Sequence, residues 1–178
     1  MKKSLIITIV CLLAINLGRA QDWSKYKSED LAFLAYFPQE PTRTVQQVET
    51  VVGTLDMHMV MYTPTVEDAN AVYSIIKSDY PESQFENADD SYNSSVLDGA
   101  VNGAVNNVNG KLVFDNKISL NGFPGRSVKI EMEGGFIYIR AYLVQNTMYI
   151  SQVICYTDKD NNDSIARFLN SFDIIKVK

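Results

Sequence analysis

The chain has 178 residues and a net charge of −5, with 46% hydrophobic and 21% charged residues. This length corresponds to one domain that is large enough to bury its own core. Lysine and arginine form no cluster, and because nucleic-acid binding requires clustered basic residues, the composition argues against a nucleic-acid partner.

The first twenty residues have the pattern of a secretory signal peptide. Lys2 and Lys3 precede an apolar run at residues 5–15, and Gly18 and Ala20 are small residues at the spacing that signal peptidase reads. The apolar run is shorter than the roughly 20 residues that a transmembrane anchor needs. The pattern therefore predicts a cleaved signal peptide and no transmembrane anchor.

Cleavage before Gln21 leaves a mature domain at residues 21–178, located in the periplasm or outside the cell. The mature domain keeps 13 of the 16 basic residues and all 21 acidic residues, so its net charge is −8. Cys11 lies inside the apolar run and follows a bulky residue, which argues against an acylated N-terminus.

Alternation of apolar and polar residues predicts four β-strands in the first half of the domain. The pattern places them at residues 31–37, 42–52, 54–62 and 71–78. Gly53 marks a turn between the second and third strands, which we therefore expect to form a hairpin.

A helix is predicted next, at residues 89–108, because the spacing of apolar residues changes from two to three and four. Asn87 or Asp89 is placed to cap its first-turn amides. Gly99 and Gly103 each weaken such a helix by about 1 kcal/mol relative to alanine. We infer from these glycines that the helix approaches a sheet closely.

The second half repeats the order of strands followed by a helix. Turn signals at residues 121–125, 134–135 and 145–146 separate four predicted strands, and a helical stripe follows them: 111–120, 126–133, 136–144, 147–156 and the helix 164–172. Short turns make consecutive strands antiparallel neighbours. The order of elements thus predicts an α+β fold, with a largely antiparallel β-sheet packed with helices.

Two predicted strands carry apolar side chains on both faces. In the strand at residues 136–144, one alternating set is aromatic around a single Arg140, whereas a solvated face would be polar. The strand at residues 54–62 has His58 among apolar residues on one face and methionines on the other. We infer that the terminal segments or the loop after Pro81 cover the aromatic face. The alternative is a contact surface for a partner or ligand.

Turn and core positions along the mature chain resemble the family of small exported proteins related to PsbP and Mog1. The resemblance rests on Tyr26, Asp30, Phe33, Phe37, Pro38 and Pro41; on Leu120, Gly122, Pro124, Gly125 and Arg126; on Arg140, Tyr142, Leu143, Val144, Met148 and Tyr149; and on Phe168, Leu169, Ser171 and Phe172. It implies an antiparallel sheet between helices, a PsbP/Mog1-like α/β/α sandwich. It also implies a noncatalytic role in binding or assembly.

The candidate binding residues are Arg140, Tyr138, Tyr142 and His58. A guanidinium between two tyrosines on one strand face can stack on the rings or bind a carboxylate through two hydrogen bonds. The alternative for Arg140 is an internal ion pair with a residue such as Glu131. For His58, the alternative is a strand histidine packed among aromatic neighbours.

No catalytic or metal-binding residues are predicted. A Ser-His-Asp or Cys-His system would have to use His58, the only histidine, and the chain has no Gly-x-Ser-x-Gly motif. Cys155 is the only cysteine left after cleavage, so a disulfide within the domain is excluded and a zinc site lacks ligands. We expect Cys155 to be a buried strand residue and the protein to need no cofactor.

The chain has two acidic clusters, and the first of them invites a calcium-binding interpretation, which fails on inspection. Residues 158–163 start like a calcium-binding loop, but Asp163 stands where the loop needs glycine and Leu169 stands where a glutamate closes the coordination shell. An acidic start of the last helix is the favoured interpretation. The second cluster, at residues 82–90, is typical of a solvated loop and helix start.

Together these observations predict an exported, noncatalytic binding or assembly module that acts on a protein partner in the cell envelope. The alternative is a small periplasmic ligand-binding protein or hydrolase whose site has no recognisable motif. A cavity of about 300 Å³ or more that holds His58 or Arg140 with convergent carboxylates would favour the alternative.

Overall fold

A computed structural model describes residues 23–50, 53–65 and 67–175. The predicted signal peptide, its cleavage site and the last two residues of the second predicted strand lie outside these ranges. Within them the chain forms ten strands and two helices: β1 Ser24–Ser28, β2 Phe33–Phe37, β3 Thr42–Thr50, β4 Gly53–Tyr62, β5 Asn70–Asp79, α1 Asp90–Asn107, β6 Lys111–Leu120, β7 Phe123–Met132, β8 Gly135–Val144, β9 Thr147–Tyr156, α2 Asp163–Ser171 and β10 Asp173–Ile174.

The strands form two antiparallel sheets. A seven-stranded sheet has the order β3-β4-β5-β9-β8-β7-β6, and a smaller sheet has the order β1-β2-β10. Each neighbouring pair in both sheets is antiparallel. The prediction of an α+β fold with a largely antiparallel sheet is therefore confirmed. Because β6 to β9 are joined by short turns, the pairing of β5 with β9 is the long-range step that closes the large sheet.

Helix α1 covers one face of the large sheet over β7 and β8. Asp89 caps the helix, with its side chain accepting a hydrogen bond from the backbone N–H of Tyr92 at 2.8 Å. Leu97 and Val101 are buried against aliphatic residues of the sheet. The inference from the glycines is wrong, because a Cβ built on Gly99 or Gly103 meets no neighbouring atom within 4 Å in the described part of the chain.

The opposite face of the large sheet is covered by α2 and by the three-stranded sheet. The core there is rich in aromatic residues and takes Ile165, Phe168 and Leu169 from α2. The terminal segments therefore form the cover that the aromatic strand face predicts. The loop after β5 packs elsewhere, since Tyr80 and Phe85 contact the core under α1.

Two strands begin more than one residue away from the position that the sequence predicts. Asn121 and Gly122 both have positive φ, of 53° and 87°, so they form a two-residue hairpin turn and β7 starts at Phe123 instead of residue 126. Ala32 also has a positive φ, of 58°, which ends the preceding turn and moves the start of β2 to Phe33.

Candidate functional site

Two of the four predicted binding residues lie in the aromatic core between the large sheet and its cover. The hydroxyl of Tyr138 donates a hydrogen bond to Asp160 at 2.5 Å. The ring of Tyr142 stacks on Phe172 with a centroid distance of 5.9 Å and an interplanar angle of 6°. Burial raises the pKa of both tyrosines above the usual value. Both rings therefore have packing partners inside the domain.

Arg140 lies between these tyrosines on β8 and holds the end of α2. Its Nη1 donates a hydrogen bond to the carbonyl oxygen of Leu169 at 3.2 Å, in the last turn of a helix where carbonyls lack intrahelical partners. The alternative ion pair is not formed: Glu131 pairs in register with Phe136 on β8, and no described carboxylate makes an ion pair with Arg140. A binding role for Arg140 stays a prediction.

His58 lies on β4, away from the other three predicted residues. Adjacent positions across the sheet run from His58 through Lys77 and Tyr149 to Tyr142. Three strand spacings, about 15 Å, thus separate the His58 backbone from β8. The Nδ1 atom of His58 is buried and has no hydrogen-bond partner among the described residues. The predicted residues therefore do not converge on one site.

A cleft of about 420 Å³ opens instead at the end of the large sheet where β5 ends, β7 begins and β8 turns into β9. The segment before α1, the first turn of α1 and two hairpin ends contribute its walls: Glu82, Phe85, Glu86, Ala88, Asn93, Phe123, Pro124, Leu143, Gln145 and Asn146. The cleft thus combines carboxylates, amides and apolar side chains.

The wall before α1 is anchored to the turn between β8 and β9. The backbone N–H of Tyr80 donates to the carbonyl of Asn146 at 2.8 Å, and the Asn146 side-chain amide donates to the carbonyl of Tyr80 at 2.7 Å. Phe85 then packs between Tyr80 and Tyr92, with centroid distances of 6.0 and 5.3 Å. These contacts attach the segment before α1 both to the turn between β8 and β9 and to the first turn of α1.

The rim of the cleft is acidic and its floor is apolar. Glu82 and Glu86 are exposed, and neither forms an ion pair with a described residue. Of the apolar residues that line the same cleft, Leu143 is buried and Phe123 is half-buried. Two free carboxylates above an apolar surface can bind a lysine or arginine side chain, whose stem is apolar and whose end is charged.

A second cleft of about 360 Å³ lies beside the first and shares Asn93 and Pro124 with it. Its charged lining residues have both signs: Arg126, which forms ion pairs with Asp98 and with Asp115, the latter at 3.0 Å, together with Lys117 and Asp90. The lining of the first cleft differs, because its charged residues, Glu82 and Glu86, are both acidic.

The four predicted binding residues line neither of the two clefts, and their binding role stays a prediction. Neither of these clefts is therefore the cavity with His58 or Arg140 that would favour a hydrolase or ligand-binding protein. The described residues also include no group of three or more histidine, cysteine, aspartate or glutamate side chains arranged to hold a metal ion. In the sequence, the feature that belongs to the first cleft is the acidic cluster at residues 82–90, which supplies Glu82 and Glu86.

No protein-family model and no curated protein sequence matches the chain. The structure is similar to the solution structure of cyanobacterial PsbP (CyanoP) from Synechocystis sp. PCC 6803, with a TM-score of 0.57 and 10% sequence identity, over 89% of this chain and 95% of that chain. The chain therefore has a PsbP-like fold, and at this identity the similarity shows the fold alone.

Proposed function

We propose that the protein is an exported, noncatalytic binding module that assembles with a protein partner in the cell envelope, and that the cleft at the end of the large sheet binds a basic segment of this partner. The observation that carries the proposal is the pair of unpaired glutamates, Glu82 and Glu86, above an apolar floor. The PsbP-like fold supports a binding role.

The physical argument starts from two exposed carboxylates that line the same cleft and form no ion pair with a described residue. A lysine or arginine from a partner can pair with them, while its aliphatic stem packs on Phe123 and Leu143. Ion pairs at an exposed rim contribute about 0.2–1 kcal/mol each and weaken with salt. We therefore expect binding of modest affinity that decreases as ionic strength rises.

Export is part of the same proposal. The signal-peptide pattern of the first twenty residues supports it, and none of the helices in the described ranges has the length and apolar character needed to cross a membrane. Mass spectrometry of the native N-terminus tests this directly. We expect the mature protein to begin at Gln21, and a retained N-terminal segment would contradict export by this route.

Affinity capture from the native envelope, followed by mass spectrometry, tests the binding site. The test variant is Glu82→Gln with Glu86→Gln, which removes two charges and keeps the side-chain shape. The matched control is Glu131→Gln with Glu133→Gln, which removes two exposed charges near the opposite ends of β7 and β8. We expect a partner with a basic segment to be enriched by the unaltered protein and the control, and lost with the test variant.

Two results would contradict the proposal. If no protein is enriched reproducibly, the assembly role fails. If the same partner is enriched by both double variants, the partner is real but does not bind at the cleft.

A further inference from the structure

The two edges of the seven-stranded sheet differ in how they are protected from pairing with another strand. The β6 edge carries Lys111 and Lys117 and has a register irregularity between Leu112 and Phe114. Charged residues and bulges are the features by which proteins prevent edge-to-edge association. The β6 edge is therefore protected.

The β3 edge has neither a bulge nor a lysine. It pairs with β4 in continuous register from Thr42 to Thr50, and within the described residues no strand pairs with its outer side. The strand contains neither lysine nor proline, and Val45 and Val48 are 51% and 37% exposed. A long, regular and partly apolar edge of this kind is a template for a further strand.

The charges of β3 indicate which strand fits there. Its two charged residues, Arg43 and Glu49, have opposite signs and stand three positions on either side of Gln46. When two copies of β3 run antiparallel and the Gln46 residues face each other, Arg43 of each copy faces Glu49 of the other. Opposite charges placed directly across an antiparallel pair are stabilising.

We propose that two copies of this chain associate through β3 in an antiparallel register centred on Gln46. The two large sheets then form one continuous sheet around a twofold axis that passes between the Gln46 residues. The overlap includes all nine residues of β3, and alternate pairs exchange two backbone hydrogen bonds each, giving about eight to ten in total.

The register also agrees with the arrangement of the covering layers. Residues that face each other in this pairing have the same parity in the sequence, so they project to the same side of the sheet. The face that carries α2 in one copy thus continues into the same face of the other. Arg43 already binds Asp30 at 2.6 Å on this side, and in the dimer its guanidinium would lie between Asp30 and Glu49 of the second copy.

A second copy fits this edge better than an unrelated peptide does, because the edge is complementary to itself. An arbitrary extended segment would form hydrogen bonds with the backbone of β3. Its sequence would not in general place a glutamate opposite Arg43 and an arginine opposite Glu49. The surface is also separate from the acidic cleft, which β7, β8 and α1 form with the segment before α1. Failure of one proposal therefore leaves the other intact.

Charge exchange tests the register. We expect the purified protein to sediment as a dimer, and Arg43→Glu or Glu49→Arg alone to weaken the association by about tenfold or more, because each places like charges opposite each other. The double variant R43E/E49R restores opposite pairs and should restore the dimer. A mixture of R43E with E49R should form the heterodimer in preference to either homodimer, since both of its pairs are then opposite in sign.

Cysteine cross-linking tests the centre of the register. Gln46→Cys places two thiols directly across the pair, whereas Thr44→Cys is the control, because its two copies lie four residues apart along the strand, about 14 Å. We expect mild oxidation to link Q46C into a covalent dimer and to leave T44C monomeric.

Three results would overturn the proposal. The first is a monomer at all accessible concentrations together with no cross-linking of Q46C. The second is a dimer that R43E and E49R leave unchanged, which would place the interface elsewhere. The third is a monomer whose β3 edge binds an extended peptide of another protein, which would assign the edge to a different occupant.

Discussion

The two faces of the seven-stranded sheet are covered in different ways. On one face, α1 lies over aliphatic residues of β7 and β8, and it is a single helix of 18 residues that buries Leu97 and Val101. On the other face, the cover comes from both ends of the chain, and its core is built from aromatic rings. A cover assembled from distant segments depends on contacts between those segments, so its stability should be more sensitive to single substitutions.

Phe168→Ala should have the largest effect on this comparison. Phe168 is fully buried, and its ring packs on Phe37 of β2 and Tyr73 of β5. The ring centroids are 5.0 Å and 5.3 Å apart, respectively. We expect a loss of about 3–5 kcal/mol in the free energy of unfolding. The counterpart under α1 is Leu97→Ala, for which we expect a smaller loss. Urea denaturation of both variants measures the difference, and an equal or larger loss for L97A would contradict the ranking.

Asn70→Ala should have the next largest effect, because it removes a buried polar link between β5 and the start of α2. The Asn70 amide donates to the Tyr73 hydroxyl at 2.7 Å and accepts a hydrogen bond from the amide of Asn162 at 2.9 Å. Asn162 also caps α2 through Ser164. The substitution leaves these groups unsatisfied and should cost about 1–3 kcal/mol.

Thermal denaturation measures this loss, and Asn170→Ala is a matched control on the exposed side of α2. We expect N170A to change the stability little. A similar loss in both variants would show that the amide pair has no special role in attaching the terminal segments.

Alkaline pH should weaken the aromatic face selectively. Burial raises the pKa of Tyr73 and of Tyr149 to about 12, against a usual value of 10.0. Between pH 10 and about 12, these hydroxyls stay protonated in the folded state and lose their protons in the unfolded state. The free energy of unfolding is therefore unaffected by these groups below pH 10 and decreases as the pH rises towards about 12. Tyrosinate absorbance and circular dichroism, followed together, measure the transition.

Tyr149→Phe separates the two contributions of this side chain. The variant keeps the ring but loses the hydrogen bond of 3.0 Å to the carbonyl of Leu31, so it should be less stable at neutral pH by about 1 kcal/mol. Its stability should also fall less steeply between pH 10 and 12. A stability that stays constant over this range in the unaltered protein would contradict the prediction.

Arg140→Met should have a smaller effect, because Arg140 is half-buried and is bonded to one helix carbonyl. We expect a loss of about 0.5–1 kcal/mol in the free energy of unfolding and unchanged capture of a partner. Arg140→Lys, which keeps the charge at the end of α2, should recover part of the stability. Unchanged unfolding with a selective loss of partner capture would instead assign Arg140 to binding.

The elements that sequence reasoning predicts well are those with a long periodic pattern. The strand at residues 147–156 and the helix over residues 89–108 carry enough residues to define a period, and the structure confirms both. The strand β1 carries a single apolar side chain, Tyr26, and β10 has two residues, so neither of them shows an apolar period. They become strands because β2 offers them a partner, and this depends on the tertiary fold.

The candidate site depends on the tertiary fold even more strongly. The cleft combines residues from a loop, a helix start and two hairpin ends that are up to 64 positions apart, from Glu82 to Asn146. Each residue taken alone is an ordinary loop or turn residue. Only the pairing of β5 with β9, which brings Tyr80 to Asn146, makes them neighbours.

Gly99→Ala should give the smallest effect and a direct test of how α1 sits on its face of the sheet, with Gly125→Ala as its contrast. Within the described residues, a Cβ at Gly99 meets no neighbouring atom within 4 Å, whereas a Cβ at Gly125 on β7 would collide with the carbonyl oxygen of Ala141. Gly99→Ala should therefore stabilise the protein by about 0.5–1 kcal/mol, because alanine favours the helix and restricts the unfolded chain. Gly125→Ala should destabilise it, because β7 and β8 must move apart. Urea denaturation measures whether each substitution raises or lowers the free energy of unfolding. A lower value for G99A would mean that another surface packs against the outer side of α1.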